Sequence, residues 1–177
     1  MNKKLKLWEL NRKTEAEFRA QKKFPIVVVL DDIRSLNNIG SFFRTGDAFN
    51  IEKIFLCGIT AVPPHRDIHK TALGATDTVD WEYNKQTLDC VRDLKKRGHE
   101  ICVIEQTSET TLLQEVAELA IKPVALVFGN EVNGVAQGVI DVADRIIEIP
   151  QFGTKHSLNV SVCAGIVMWE FCKKHIE

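Results

Sequence analysis

The sequence predicts an α/β fold, a mostly parallel sheet with helices on both faces. Three observations predict it. Wholly apolar, β-branched runs at residues 26–30 and 124–128 suit strands buried on both sides. Helical patterns alternate with such runs along the chain. At 177 residues the chain is long enough to bury a real core and too short for two domains of ordinary size.

Taken in order, residues 4–23 read as a helix with Leu5, Trp8 and Phe18 toward one side, closed off before Pro25. A strand at 26–30 follows, then a helix at 38–49 and a strand at 53–57. Residues 58–67 carry Pro63 and Pro64 and read as a loop. A short helix at 68–73 and a strand at 78–83 come next. The helix at 86–97 ends before Gly98, placed as a terminating glycine should be. Strands at 100–105, 124–128 and 145–149 alternate with helices at 112–119 and 136–142. A long helix over 157–175 closes the chain.

Composition excludes several classes. Hydrophobic content of 45% and charged content of 27% are those of an ordinary globular protein. The basic start lacks an apolar run after it, so no signal peptide is legible, and a cytosolic location is expected. Five cysteines at 57, 90, 102, 163 and 172 form an odd set without a C-x-x-C pair, which fits neither a disulfide framework nor a zinc site. His65 and His69 share helical spacing but lack a third ligand nearby, so no metal is expected. The formal charge is −1, yet residues 1–23 hold eight lysines and arginines against three glutamates. Such an arm can track a phosphate backbone; the plainer reading, which composition alone favours, is a solvated helix face.

Ligands of open α/β sheets bind beyond the carboxyl ends of the strands, so the polar loops there carry the candidate chemistry. In the first, Asn38 reads as a helix N-cap. Arg44, six residues on, reads as facing roughly the same side. An arginine beside a strand end suits an anion, and an ion pair with Asp31, Asp32 or Asp47 is the structural alternative. The second loop, Phe128-Gly129-Asn130-Glu131-Val132-Asn133-Gly134, has two glycines able to bring backbone close to a ligand. In the third, which runs from Ile149 to Ser161, Pro150 and Gly153 bracket a turn, with Ser157 read as the helix cap. Neither G-x-G-x-x-G nor G-x-x-x-x-G-K-[ST] occurs, which disfavours a generic dinucleotide or P-loop enzyme.

Together the three loops resemble the SpoU (TrmH-like) branch of the SPOUT RNA methyltransferases. N-x-G-x-x-x-R-T stands at Asn38 to Thr45, G-N-E-x-x-G at Gly129 to Gly134, and I-P-x-x-G-x-x-x-S-L-N-V-S at Ile149 to Ser161. Each block alone is weak; their shared order and spacing are specific. Two departures are small: Asn50 replaces a usual glycine but tolerates a left-handed backbone, and Gln151 replaces a frequent methionine.

The resemblance implies residues 25–177 as a methyltransferase domain behind a basic N-terminal helix or arm at 1–24, a C-terminal trefoil knot, and a homodimer. It implies transfer of a methyl group from S-adenosylmethionine to a ribose 2′-OH of RNA, tRNA slightly ahead of rRNA. It assigns the catalytic part to Arg44 with Asn38, Ser157, Asn159 and Glu131, the last holding either the loop or the incoming nucleotide. Thr107, Phe128, Gly129, Ile149 and Leu158 would hold the cofactor. Arg12, Arg19, Lys22, Lys23, Arg34 and Lys155 are the candidate RNA contacts. Whether Arg44 acts as general base or as charge stabiliser stays open, although a guanidinium gives up its proton reluctantly. The competing reading is a catalytically silent RNA-binding homodimer of the same fold.

Overall fold

The computed structural model describes residues 1–118 and 122–176. Seven parallel strands form one sheet in the order β3-β2-β1-β6-β4-β7-β5. They are β1 (Phe24–Asp31), β2 (Ile51–Cys57), β3 (Asp80–Asn84), β4 (Glu100–Ile104), β5 (Thr111–Leu112), β6 (Val124–Phe128) and β7 (Arg145–Glu148). The helices are α1 (Glu15–Ala20), α2 (Leu36–Ala48), α3 (Arg66–Ala72), α4 (Ala75–Thr78), α5 (Thr87–Lys96), α6 (Gln137–Ile140) and α7 (Val160–Cys172). The trefoil knot implied by the resemblance is consistent with this strand order.

Strand β1 shows why the sheet is covered on both sides. Its side chains alternate between faces. Ile26, Val28 and Leu30 join the core beneath α2 and α7, with Phe42, Phe43, Val167 and Met168. Val27 and Val29 join the opposite core with Cys90, Val91, Leu94 and Val139 of α5 and α6. Burial on both faces requires the unbroken apolar run seen in the sequence.

Helix α2 crosses α3 closely because position 40 is glycine. A Cβ there would fall 2.0 Å from Thr71 Oγ1 and 2.3 Å from the Ile68 carbonyl oxygen. At the other end of α2, Asn50 adopts the left-handed backbone its residue type tolerates, with φ 53. No helix among the described residues is long and apolar enough to cross a membrane.

Several boundaries differ from the sequence expectation, each for a local reason. The helix expected at 4–23 is broken into a 3₁₀ turn at Leu7–Glu9 and the six-residue α1. Asn11 between them has a positive φ of 46, and Thr14 starts α1 in a capping box with Glu17. Ser35, not Asn38, caps α2: its side chain accepts the Asn38 N–H at 3.3 Å. Asn159, not Ser157, caps α7 by accepting the Ser161 and Val162 N–H groups at 2.9 and 3.3 Å. The helix expected at 112–119 is the short strand β5 followed by a 3₁₀ helix at Leu113–Glu118, and position 119 lies outside the described residues.

Candidate functional site

The loops after β1, β4, β6 and β7 meet at the carboxyl edge of the sheet, where β1 and β6 lie side by side. They are knitted together by side chains from all three sequence blocks. Glu131 accepts the Arg34 and Ser35 N–H groups at 3.0 and 3.1 Å and the Asn38 amide at 2.9 Å. The Asn38 side-chain oxygen accepts the Asn159 amide at 3.2 Å, and the Asn159 oxygen caps α7. The chain Glu131–Asn38–Asn159 therefore joins the β6 loop, the start of α2 and the start of α7. Burial alone would push the Glu131 carboxyl up; the hydrogen bonds from Arg34, Asn38, its own backbone and Ser35 outweigh it and hold the group below the ordinary value.

The turn that carries Glu131 is rigid for reasons visible in its sequence. Asn130 accepts the Val132 and Asn133 N–H groups at 2.9 and 3.1 Å, an Asx turn. Its amide donates to the Asp32 carbonyl at 2.7 Å. A Cβ on Gly129 would lie 2.3 Å from the backbone of Gly134 and Val135, so this glycine permits the turn to close on itself. The close approach expected of it is therefore to the protein's own backbone. Gly134 has φ +69, and its Cβ position lies 2.2 Å from Glu105 Oε2.

Beside this turn opens a cavity of about 500 Å³. Phe128, Gly129, Ile149 and Leu158 line it, as do Glu131, Ser157 and Asn159. Ile104, Ile147 and Val160 extend its apolar wall. Of residues 150–158, Gln151, His156, Ser157 and Leu158 line the cavity, and none of these takes part in a backbone–backbone hydrogen bond among the described residues. Thr107 lines an adjoining polar crevice that shares Glu105, Gln106, Val132 and Gly134 with the cavity.

Arg44 is elsewhere. Six helical positions turn it about 120° away from Asn38, which corrects the expectation that the two share a side. Asn38 faces the core, whereas Arg44 is exposed beside Glu15, Asp47, Leu73 and Gly74. The proposed aspartate partners are engaged otherwise. Asp31 accepts from the Thr87 hydroxyl and the Ala136 N–H, Asp32 from the Ile59 N–H, and Asp47 from the Thr78 hydroxyl. Among the described residues the Arg44 side chain has no hydrogen bond or ion pair.

The candidate RNA contacts divide. Arg12, Lys22, Arg34 and Lys155 are exposed. Arg19 donates to the Asp77 carbonyl, and Lys23 donates to the Phe18 carbonyl at 2.8 Å while sitting over its ring. His65 accepts the Asp67 N–H through Nδ1, and His69 lies 3.4 Å from the Thr76 hydroxyl. Sequence reasoning missed Glu105, which ends the strand run next to two ligand-facing loops; that position was its only signal.

A parallel α/β sheet with polar loops converging on one cavity at its carboxyl edge defines a small-molecule-binding α/β domain. Residues 25–169 match the SpoU rRNA Methylase family. The chain is 31% identical over 152 residues to the 23S rRNA (guanosine-2′-O-)-methyltransferase RlmB of Nitrosomonas europaea, covering 86% of this chain and 57% of that protein. It superposes on the TrmH/SpoU tRNA modifying enzyme of Aquifex aeolicus with a TM-score of 0.80 at 26% identity, covering 91% of this chain and 80% of that one. The AdoMet-bound rRNA methyltransferase of Sinorhizobium meliloti gives a TM-score of 0.79 at 25% identity, covering 96% and 63%. The chain belongs to the SpoU rRNA methylase family.

Proposed function

We propose that this protein transfers a methyl group from S-adenosylmethionine to a ribose 2′-OH of tRNA or rRNA, in the cytoplasm and as a homodimer. The observation that carries this reading is the cavity bounded by the second and third sequence blocks and tied to the first through Asn38. The relatives named above act on rRNA or tRNA, which supports an RNA substrate of either kind.

The cavity suits the cofactor on its own chemistry. About 500 Å³ is within the range of sites for molecules of this size. Phe128, Ile149 and Leu158 offer apolar surface, and the backbone of Gln151, His156, Ser157 and Leu158, free of backbone–backbone hydrogen bonds, offers donors and acceptors. Thr107 would border the site through the adjoining crevice. When bound, the cofactor supplies an electrophilic methyl group on a cationic sulfur.

The chain's own residues position the acceptor and compensate its charge. Ser157 and Asn159 stand at the cavity mouth, where they orient the ribose hydroxyl. Asn38 and Glu131 act through Asn159 and the α2 start, holding these parts in register. With three donors already on its carboxylate, Glu131 serves the loop rather than an incoming nucleotide. Arg44 stabilises the developing alkoxide and the neighbouring phosphate.

Because Arg44 does not line its own cavity, a second copy supplies it. Helix α7 offers the surface for that copy: Val162, Ile166 and Trp169, spaced four and three apart, form one apolar stripe. They are 53%, 41% and 50% exposed. Such a stripe on a helix that also buries Val167, Met168 and Phe171 is what a dimer interface requires. The exposed Arg12, Lys22, Arg34 and Lys155 would contact RNA phosphates.

Calorimetric titration of the purified protein with S-adenosylmethionine tests the reading at its base. Saturable one-site binding is expected, and its absence would remove the methyltransferase assignment. Light scattering should give the mass of a dimer, and Trp169→Glu should give that of a monomer.

A further inference from the structure

The cavity wall carries three carboxylates, Glu105, Glu131 and Glu148, and neither a lysine nor an arginine. Glu131 accepts three donors and Glu148 accepts one, the Thr110 hydroxyl at 3.0 Å. Glu105 is the one held in place by backbone N–H groups alone. It follows β4 in the middle of the carboxyl edge, and its N–H donates to the Ile147 carbonyl at 3.2 Å. Its side chain accepts only the Gln106 and Val135 N–H groups, at 2.8 and 3.1 Å, among the described residues. A carboxylate offers about four lone-pair sites, so roughly half remain open.

The side chain is also held firmly at the wall. The Gly134 α-carbon packs against it so closely that a Cβ would lie 2.2 Å from Oε2. Glu105 borders both the cavity and the polar crevice beside it. A half-buried carboxylate at a cavity whose lining holds His156 but no lysine or arginine is only partly compensated, and a cationic ligand would complete it.

We propose that Glu105 binds the cationic end of the methyl donor, so that the cavity selects a charged adenosyl sulfonium over a neutral adenosine thioether. The proposal rests on reading this cavity as the S-adenosylmethionine site. S-adenosylmethionine carries a sulfonium, an ammonium and a carboxylate group. 5′-Methylthioadenosine keeps the adenosine and the sulfur and lacks all three charges. Glu105→Gln preserves length and one acceptor while removing the negative charge.

Calorimetry on the intact protein, wild type and Glu105→Gln, with both ligands separates charge recognition from loop support. The variant should lose S-adenosylmethionine affinity roughly ten- to hundredfold and keep 5′-methylthioadenosine affinity within about twofold. S-adenosylhomocysteine, which of the two cations retains only the ammonium, then shows which charge is read: a parallel loss assigns the ammonium, and an unchanged affinity the sulfonium. Equal losses for S-adenosylmethionine and 5′-methylthioadenosine would mean that Glu105 only braces the Gly134 turn, and would overturn the proposal. Unchanged S-adenosylmethionine affinity would overturn it as well. Wild-type protein that binds neither ligand would overturn the cofactor assignment itself, a result distinct from both.

Discussion

Replacing Asn38 by aspartate probes the hydrogen-bonded chain that joins the three loops. Asn38 is 9% exposed, donates to Glu131 at 2.9 Å and accepts from Asn159 at 3.2 Å. Aspartate keeps the size and the acceptor toward Asn159. It turns the donor toward Glu131 into a second carboxylate at about 3 Å. The lost hydrogen bond to a charged acceptor is worth about 1.5–3 kcal/mol. The facing charges add repulsion that the pair relieves by taking up a proton. Glu131 is partly solvated, so screening trims the repulsion and a net loss of about 2–3 kcal/mol near pH 8 is expected. For a chain of this size that lowers the melting midpoint by about 4–12 °C.

The sign of the pH dependence follows from the two carboxyls. In the wild type, Glu131 is held below its ordinary value despite burial, by the bonds from Arg34, Asn38, its own backbone and Ser35. Its stabilisation is complete above the ordinary carboxylate pKa and disappears as pH falls through the lowered one. In Asn38→Asp the folded pair holds a proton more tightly than the unfolded chain. Its destabilisation is therefore full at high pH and fades as pH falls through that raised value. The gap between the two proteins should narrow between about pH 8 and about pH 4.5. Thermal unfolding followed by circular dichroism across that range measures it. A deficit of constant size, or none, would refute the arrangement described for Asn38 and Glu131.

Arg44→Ala should leave S-adenosylmethionine affinity unchanged and lower methyl transfer by a factor of about a thousand, as loss of a charge-stabilising group does. Mixing it with Asn159→Ala should restore part of the activity, because one mixed cavity pairs an intact Asn159 with the partner's intact Arg44; an inactive mixture that does form heterodimers would refute supply in trans. Gly134→Ala should cost about 1–3 kcal/mol, through both its positive φ and the collision with Glu105, which chemical denaturation will read. Arg12→Ala combined with Lys22→Ala should weaken RNA binding and reduce the salt slope by about two, whereas an unchanged slope would make the arm a solvated surface.

Much of the architecture was legible because it depends on short-range patterns. The runs at 26–30 and 124–128 are apolar on both faces, and only a doubly covered sheet accommodates them. Gly98, with φ +89, ends α5 as its position after residue 97 indicates. Asn50 takes the left-handed backbone its side chain permits. Helix starts were less legible. Ser35 and Asn38, or Ser157 and Asn159, are chemically equivalent caps in the sequence, and the choice between them depends on which other contacts each side chain makes. Asn38 is drawn into Glu131 and Asn159, so Ser35 is left to cap α2. At α7 one side chain does both: the Asn159 amide donates to Asn38 while its oxygen caps the helix, and Ser157 lines the cavity.

By itself the sequence determined the fold class, the family and the three loops that meet at one sheet edge, since each is written in residue type and spacing along the chain. Tertiary structure alone decided what those residues touch. It seated Arg44 outside the cavity, beside Glu15, Leu73 and Gly74 from other elements. It also revealed Glu105, whose carboxylate meets Gly134 and Val135 across about thirty intervening residues. Contacts of that separation are set by how the strands are ordered in the sheet, and no local pattern records them.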